Sequence, residues 1–196
     1  HLPIVHPSRR RVVCGSKHSW KNEVASMSME TKDLLLGKAK PEDWESMYRN
    51  VWSRPAVARF MQWRITTSAA DAQARMERTI AWQKNHDTYL VYEKSSGQAI
   101  GFAGVEEIAP HIYQDAGIAL GPEYVGKGYG KQILRLLLEY CASTMGSEEF
   151  YYSTQAVNQA SRALALSCGF SYHHSEQRID LQSGEPYELE VYHKKL

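Results

Sequence analysis

From Leu34 onward, hydrophobic and polar positions fall into regular runs, and changes of period mark the elements. Asp33 to Ala39 reads as a strand stopped by Lys40-Pro41. Pro41 suits the first turn of a helix, where Glu42 and Asp43 complement the dipole. Trp44, Met47, Tyr48 and Val51 then recur at helical spacing and predict a buried face. A short element covers Ala56 to Trp63, and a second helix runs from Ser68 through Met76, Ile80 and Trp82 to Asn85. The period then shifts to two. Thr88 to Glu93, Ala99 to Ile108 and Tyr113 to Leu120 predict three antiparallel strands, parted by Ser95-Ser96-Gly97 and by Pro110. After a glycine-rich turn from Gly121 to Gly130, Lys131 to Ala142 forms a strongly amphipathic helix, and Phe150 to Gln155 a strand. Asn158 to Cys168 reads as a short helix ended by Gly169, and strands over Phe170 to Leu181 and Tyr187 to Lys194 close the chain around Ser183-Gly184.

Composition adds boundaries rather than function. The chain has 196 residues, 43% of them hydrophobic, and its 23 Lys and Arg against 22 Asp and Glu leave a net charge of +1. Bulk charge thus gives no reason to expect a nucleic-acid partner, and no apolar run is long enough for a membrane helix or shaped like a signal peptide, so a cytoplasmic protein is expected. Residues 1–30 read as a basic arm or extension, with Arg9, Arg10, Arg11, Lys17 and Lys21 against Glu23, and residues 31–196 as one folded domain. A docking segment for an acidic partner and a targeting segment are both open for the arm. Cys14, Cys141 and Cys168 lack paired spacing and read as small core residues. His173-His174 reads as surface histidine without metal partners, Trp44, Trp52, Trp63 and Trp82 read mostly as core, and no G-x-S-x-G elbow is present.

The informative segment is Gly121-Pro-Glu-Tyr-Val-Gly-Lys-Gly-Tyr-Gly-Lys131, between a strand and a strong helix. Successive backbone N–H groups beside the positive end of a helix can grip a phosphate or pyrophosphate. Gly121 to Lys127 fits the opening of a P-loop, but Gly128 stands where Ser or Thr must hold magnesium, which argues against a nucleoside-triphosphatase. Gly126, Gly128 and Gly130 would need a further glycine at Lys131 to make a dinucleotide fingerprint, and the strands before them look antiparallel.

Gly128 and Gly130, with Val125 at a position usually polar, resemble the pyrophosphate-binding turn of the GNAT superfamily of acyl-CoA-dependent N-acyltransferases. Asn158-Gln159-Ala160-Ser161, followed by Cys168-Gly169-Phe170, is similar to the same family's later block, with room for one helix and one strand between. The pattern looks most like the subgroup that acetylates the N-termini of ribosomal proteins. The resemblance implies an α/β (α+β) GNAT fold, with a mixed, mostly antiparallel sheet of six to seven strands, a central splay and helices on both faces. It implies acetyl-CoA as acyl donor, no metal, and a primary amine, on a small molecule or a protein N-terminus, as acceptor. A homodimer through the C-terminal strands is an open expectation.

By the same resemblance, main-chain groups near Ile118, Ala119 and Leu120 would pair with the pantetheine arm and supply an oxyanion donor. Val125, Gly126, Lys127, Gly128, Tyr129, Gly130 and Lys131 would bind the diphosphate, and Asn158 and Ser161 the arm. An alkyl ammonium has a pKa of about 10, so a proton acceptor is needed, and Asp115 and Asp180 are the candidates. The tyrosine with which many relatives protonate the thiolate is replaced by Ala165, leaving Ser161 as the hydroxyl in reach. Phe60, Met61 and Trp63 are expected near the acceptor. The competing reading is a non-catalytic acyl-CoA-binding or regulatory module.

Overall fold

The computed structural model describes residues 29–196. The basic arm and Cys14 lie outside the described residues, apart from the arm's last two positions. Those two belong to the domain: Met29 is fully buried, its carbonyl accepts from Leu36 N, and Glu30 bridges Leu35. The packed unit therefore begins by Met29, ahead of the boundary at residue 31.

Seven strands form one sheet: β1 (Leu34–Gly37), β2 (Thr88–Glu93), β3 (Ala99–Ala109), β4 (Ile112–Leu120), β5 (Glu149–Gln155), β6 (Ser171–Ile179) and β7 (Pro186–Lys195). Their order is β1-β2-β3-β4-β5-β7-β6, and every neighbouring pair is antiparallel except β4 and β5. The expected mixed sheet is present. The glycine turn sits in a strand–helix–strand unit, because β5 returns parallel to β4, although the strands before the turn are antiparallel as expected.

Helices cover both faces. On one, α4 (Tyr129–Ser143) buries Ile133, Leu134, Leu137 and Cys141 against Tyr89, Ile100, Tyr113 and Phe150, and α5 (Gln159–Ser167) adds Ala165 to the same core. On the other, α1 (Trp44–Met47), α2 (Pro55–Ala58) and α3 (Ala69–Gln83) surround a second core of Met47, Val51, Trp52, Ala72, Met76 and Leu90. Ser68 caps α3, its hydroxyl accepting from Asp71 N at 3.1 Å.

The single helix expected after Pro41 is instead three short pieces: a 3₁₀ turn (Pro41–Asp43), α1, and a π-helical turn (Tyr48–Trp52). The widened turn buries Asn50, whose side-chain NH₂ donates to Ala99 O at 2.9 Å, and places its carbonyl against Gly121, where an added Cβ would lie 2.4 Å from it. Spacing of apolar residues cannot reveal this, because it is a polar side chain that docks the helix on the sheet. Trp52 is buried as expected, but Trp82 is 59% exposed and stacks on His86 instead of joining the core. Cys141 and Cys168 are buried free thiols, and His173 and His174 lie on the outer strand with no metal-ligand cluster among the described residues. No helix among the described residues is long and apolar enough to cross a membrane.

Candidate active site

The glycine turn ends in a left-handed residue. Gly128, at φ 80°, is the N-cap of α4, and a Cβ there would meet nothing within 4 Å, so backbone conformation rather than crowding calls for glycine. The helix begins at Tyr129, two residues before the expected start. Gln132 N reaches back to Gly128 O at 3.2 Å, whereas the amides from Val125 to Lys131 donate to nothing among the described residues. No side chain plugs them. They border a groove of about 650 Å³ that continues past Ile118, Ala119 and Leu120 to Tyr152, Asn158 and Ser161. Tyr129 points the other way: its hydroxyl donates to Glu93 Oε2 at 2.8 Å, and Ser96 Oγ donates to Oε1 at 2.9 Å. Burial pushes the Glu93 carboxyl up, but these two hydroxyls and the Lys127 ammonium outweigh it and hold it below its ordinary range. Glu93 thus anchors the turn from beneath, a role invisible in a strand-end acid read alone.

The groove exists because the sheet opens. β4 and β5 pair only from Ile112↔Glu149 to Gln114↔Tyr151. Beyond that point, β4 carries a bulge: Val105 faces Asp115 and Ala103 faces Ile118, so Ala116 and Gly117 together oppose Gly104, with Gly117 at φ 100°. Asp115 sits where the strands part. One carboxylate oxygen accepts from Ser153 N of β5 at 3.0 Å and the other from Gly117 N at 3.2 Å. Burial dominates these bonds and pushes its pKa up to about 6. A bridging carboxylate of this kind differs from the solvated strand-edge charge that its position in the sequence equally allowed.

Tyr152, unmarked in the sequence, lines the groove on β5. Its hydroxyl lies 2.5 Å from Ser161 Oγ, and burial, with the nearby Asp115 carboxylate, raises its pKa far above that of a free phenol. It therefore stays protonated; either hydroxyl can donate in this bond, and with the phenol as donor the serine proton is free to point into the groove. Asn158 caps α5, its side-chain oxygen accepting from Ser161 N at 3.2 Å, while its NH₂ remains available to the groove. Arg162 fixes the same helix to β7 through Glu190 at 2.8 Å.

Asp180 lies apart from this cluster at the β6–β7 turn. Its Oδ1 accepts from Gln182 N at 2.8 Å and Ser183 N at 3.0 Å, which hold its pKa below the usual carboxylate range. Leu181 N donates to Gln62 Oε1 at 3.0 Å, tying this hairpin to the loop after α2. Phe60 and Met61 line the groove beside Ile118, and only Trp63 of the expected acceptor trio faces elsewhere. It borders a second cavity of about 870 Å³, beneath α3 and ending at Ala116, the neighbour of Asp115. The two cavities share no lining residue; the second touches β4 at Ala116 and the groove touches it at Ile118 to Leu120.

Comparison with known proteins accords with this geometry. The acetyltransferase (GNAT) domain family model matches residues 33–171. N-alpha-acetyltransferase RimI of Mycobacterium tuberculosis is 31% identical over 112 residues, 56% of this chain and 63% of that protein, so the chain spans less than two thirds of that relative's length. An acetyltransferase from Salmonella typhimurium that modifies the N-terminal serine of ribosomal protein L7/L12 superposes with a TM-score of 0.70 at 19% identity, covering 85% of this chain and 96% of its own. Spermidine N-acetyltransferase of Vibrio cholerae, solved with CoA and spermine, gives 0.68 at 15% identity, over 84% and 96%. The fold, the opened sheet with its glycine turn, and a family match over most of the described residues agree: the chain belongs to the acetyltransferase (GNAT) family.

Proposed function

We propose that the protein is an acetyl-CoA-dependent N-acetyltransferase acting on a primary amine. The observation that carries this reading is the run of unsatisfied amides from Val125 to Lys131, which opens onto the groove holding Asn158, Ser161 and Tyr152. The amides and the dipole of α4 would bind the diphosphate, and the freed edge of β4 at Ile118 to Leu120 would pair with the pantetheine arm. Val125 in the position usually polar is no obstacle, since it still contributes its main-chain N–H. Acetyl-CoA would supply the acyl group as a thioester, the C–N bond forming as the C–S bond breaks.

The acceptor reaches Asp115 from the cavity that ends at Ala116. Asp115 takes the proton of the attacking nitrogen, directly or through water; raised to about 6, it is a stronger base than an ordinary aspartate yet ionised at neutral pH. Ser161, oriented by Tyr152, gives its proton toward the departing sulfur. A thiolate with a pKa of about 8.5 needs little help to leave, so a weak acid suffices. Asp180, already engaged by its own turn, is assigned the shape of the hairpin rather than proton transfer.

Calorimetry with CoA, followed by thiol release from acetyl-CoA across an amine panel, tests the reading. Binding with turnover is expected. Binding without turnover across a broad panel would favour the regulatory module, and no binding would end both. A cytoplasmic location and a dimer through the C-terminal strands belong to this proposal as expectations, the first checked by fractionation and the second by sedimentation.

A further inference from the structure

The cavity under α3 is strongly asymmetric in charge. Arg64, Arg75 and Arg78 line it against a single acid, Asp71, and none of the three arginines forms an ion pair among the described residues. Arg75 is the best placed. Its guanidinium lies 4.8 Å from the ring centre of Trp52 and 4.4 Å from that of Trp63, so its plane is fixed by two aromatic faces. One nitrogen, Nη1, donates to Thr66 Oγ1 at 3.1 Å and Arg64 O at 3.5 Å, while Nη2 and Nε have no partner among the described residues. Burial, with Arg78 alongside, brings its pKa down to about 10. A half-buried guanidinium with an idle fork and no counter-ion is costly unless something anionic completes it. In the walls of the same cavity, Trp63 Nε1 and Thr88 Oγ1 are also buried without a partner.

Resting on the acetyltransferase reading above, we infer that this cavity holds the acceptor and selects primary amines that carry a carboxylate or phosphate, with Arg75 gripping the anionic oxygens. Trp63, Trp82 and Phe102 supply apolar walls for the carbon skeleton, and Ala116 sets the amine end beside Asp115. Carboxylate and phosphate present the same paired oxygens to a guanidinium fork. A polyamine, by contrast, would bring cations against three unpaired arginines, with only Asp71 in its favour.

The test uses matched probes: L-phenylalanine against 2-phenylethylamine, 2-aminoethyl phosphate against ethanolamine, and spermidine. Thiol release should give a kcat/KM about tenfold or more higher for the anionic member of at least one pair, the size of a charge-assisted contact, and the pair that responds tells carboxylate from phosphate. Arg75→Gln should bring that ratio close to one. Arg78→Gln, on the exposed rim, should lower it about threefold, through weaker and more screened attraction, and serves if the first variant does not fold. Calorimetry with the same probes, on protein with and without CoA, reads the preference independently of turnover. Ratios near one in both pairs, spermidine outrunning the anionic amines, an unaltered ratio in the variants, or no heat from either anionic probe would each overturn the inference. Heat from CoA alone reports separately on the donor groove, so failure of the acceptor inference and failure of the acetyltransferase reading are told apart.

Discussion

Replacing Asp115 by Asn keeps the size of the side chain and removes its charge at the point where the sheet opens. A carboxyl raised from 3.8 to about 6 makes ionisation of the folded state unfavourable by about 3 kcal/mol relative to the unfolded chain. The sign follows from proton counting. Between about pH 4 and pH 6 the folded protein holds a proton that the unfolded chain has released, so the stabilisation from this group is complete below pH 4 and is lost as pH rises through 6. Asn keeps one acceptor oxygen and so loses one of the two amide bonds, from Ser153 or Gly117, a pH-independent loss of about 1 kcal/mol. Asp115→Asn should therefore be about 1 kcal/mol less stable than the parent at pH 4 and about 2 kcal/mol more stable at pH 8. Urea unfolding of both proteins across that range measures the difference directly. The parent's kcat/KM should fall about tenfold per pH unit below 6, and the variant should lose that limb with a drop of about 100-fold to 10,000-fold. Parallel stability curves from pH 4 to pH 8, or an intact limb near pH 6 in the variant, would refute the reasoning.

Tyr152→Phe should lower kcat about tenfold with little change in the KM for acetyl-CoA, as expected of a positioning hydroxyl acting through Ser161; an unchanged kcat would remove that role. Tyr129→Phe leaves a buried Glu93 oxygen short of a donor, so a loss of about 1–3 kcal/mol in urea unfolding is expected, together with weaker CoA binding by calorimetry. Gly128→Val forces a branched residue to φ 80°, which should cost about 1–2 kcal/mol and weaken CoA binding more than acceptor binding. Gly121→Ala pushes a methyl to 2.4 Å from Asn50 O, and thermal unfolding should show a loss of about 1–3 kcal/mol because neither backbone can yield cheaply.

Most elements were legible because their signals are local. The bounds of β2 and the apolar stripe of α4 survive in the structure almost residue for residue, although β2 buries Tyr89, Leu90 and Val91 in succession because helices cover both faces of the sheet. The sequence places the start of α4 at Lys131, with Tyr129 and Gly130 in the turn; the helix reaches back to them because Gly128 takes the left-handed cap and Tyr129 has Glu93 to bury its hydroxyl against. The cofactor turn could be read from glycines adjacent in sequence. The proposed catalytic cluster could not. Asp115, Tyr152 and Ser161 lie on β4, β5 and α5, and only the divergence of two parallel strands brings them together. Asn158, expected at the cofactor arm, visibly caps α5. Phe60 and Met61 fell on the donor side because the loop after α2 folds over β4, where Met61 approaches Gly117, a contact that spacing does not encode.

That the two chambers share no lining residue bears on how such a protein changes over time. Substitutions between residues 63 and 82 can remodel one chamber without touching the glycine turn, and the strip from Asp115 to Gly117 is where both must remain compatible. On the proposed reading, choice of amine is thus free to drift in a lineage while the thiol ester partner stays constant, and a swap of that helix and loop between relatives would transplant one preference and spare the other.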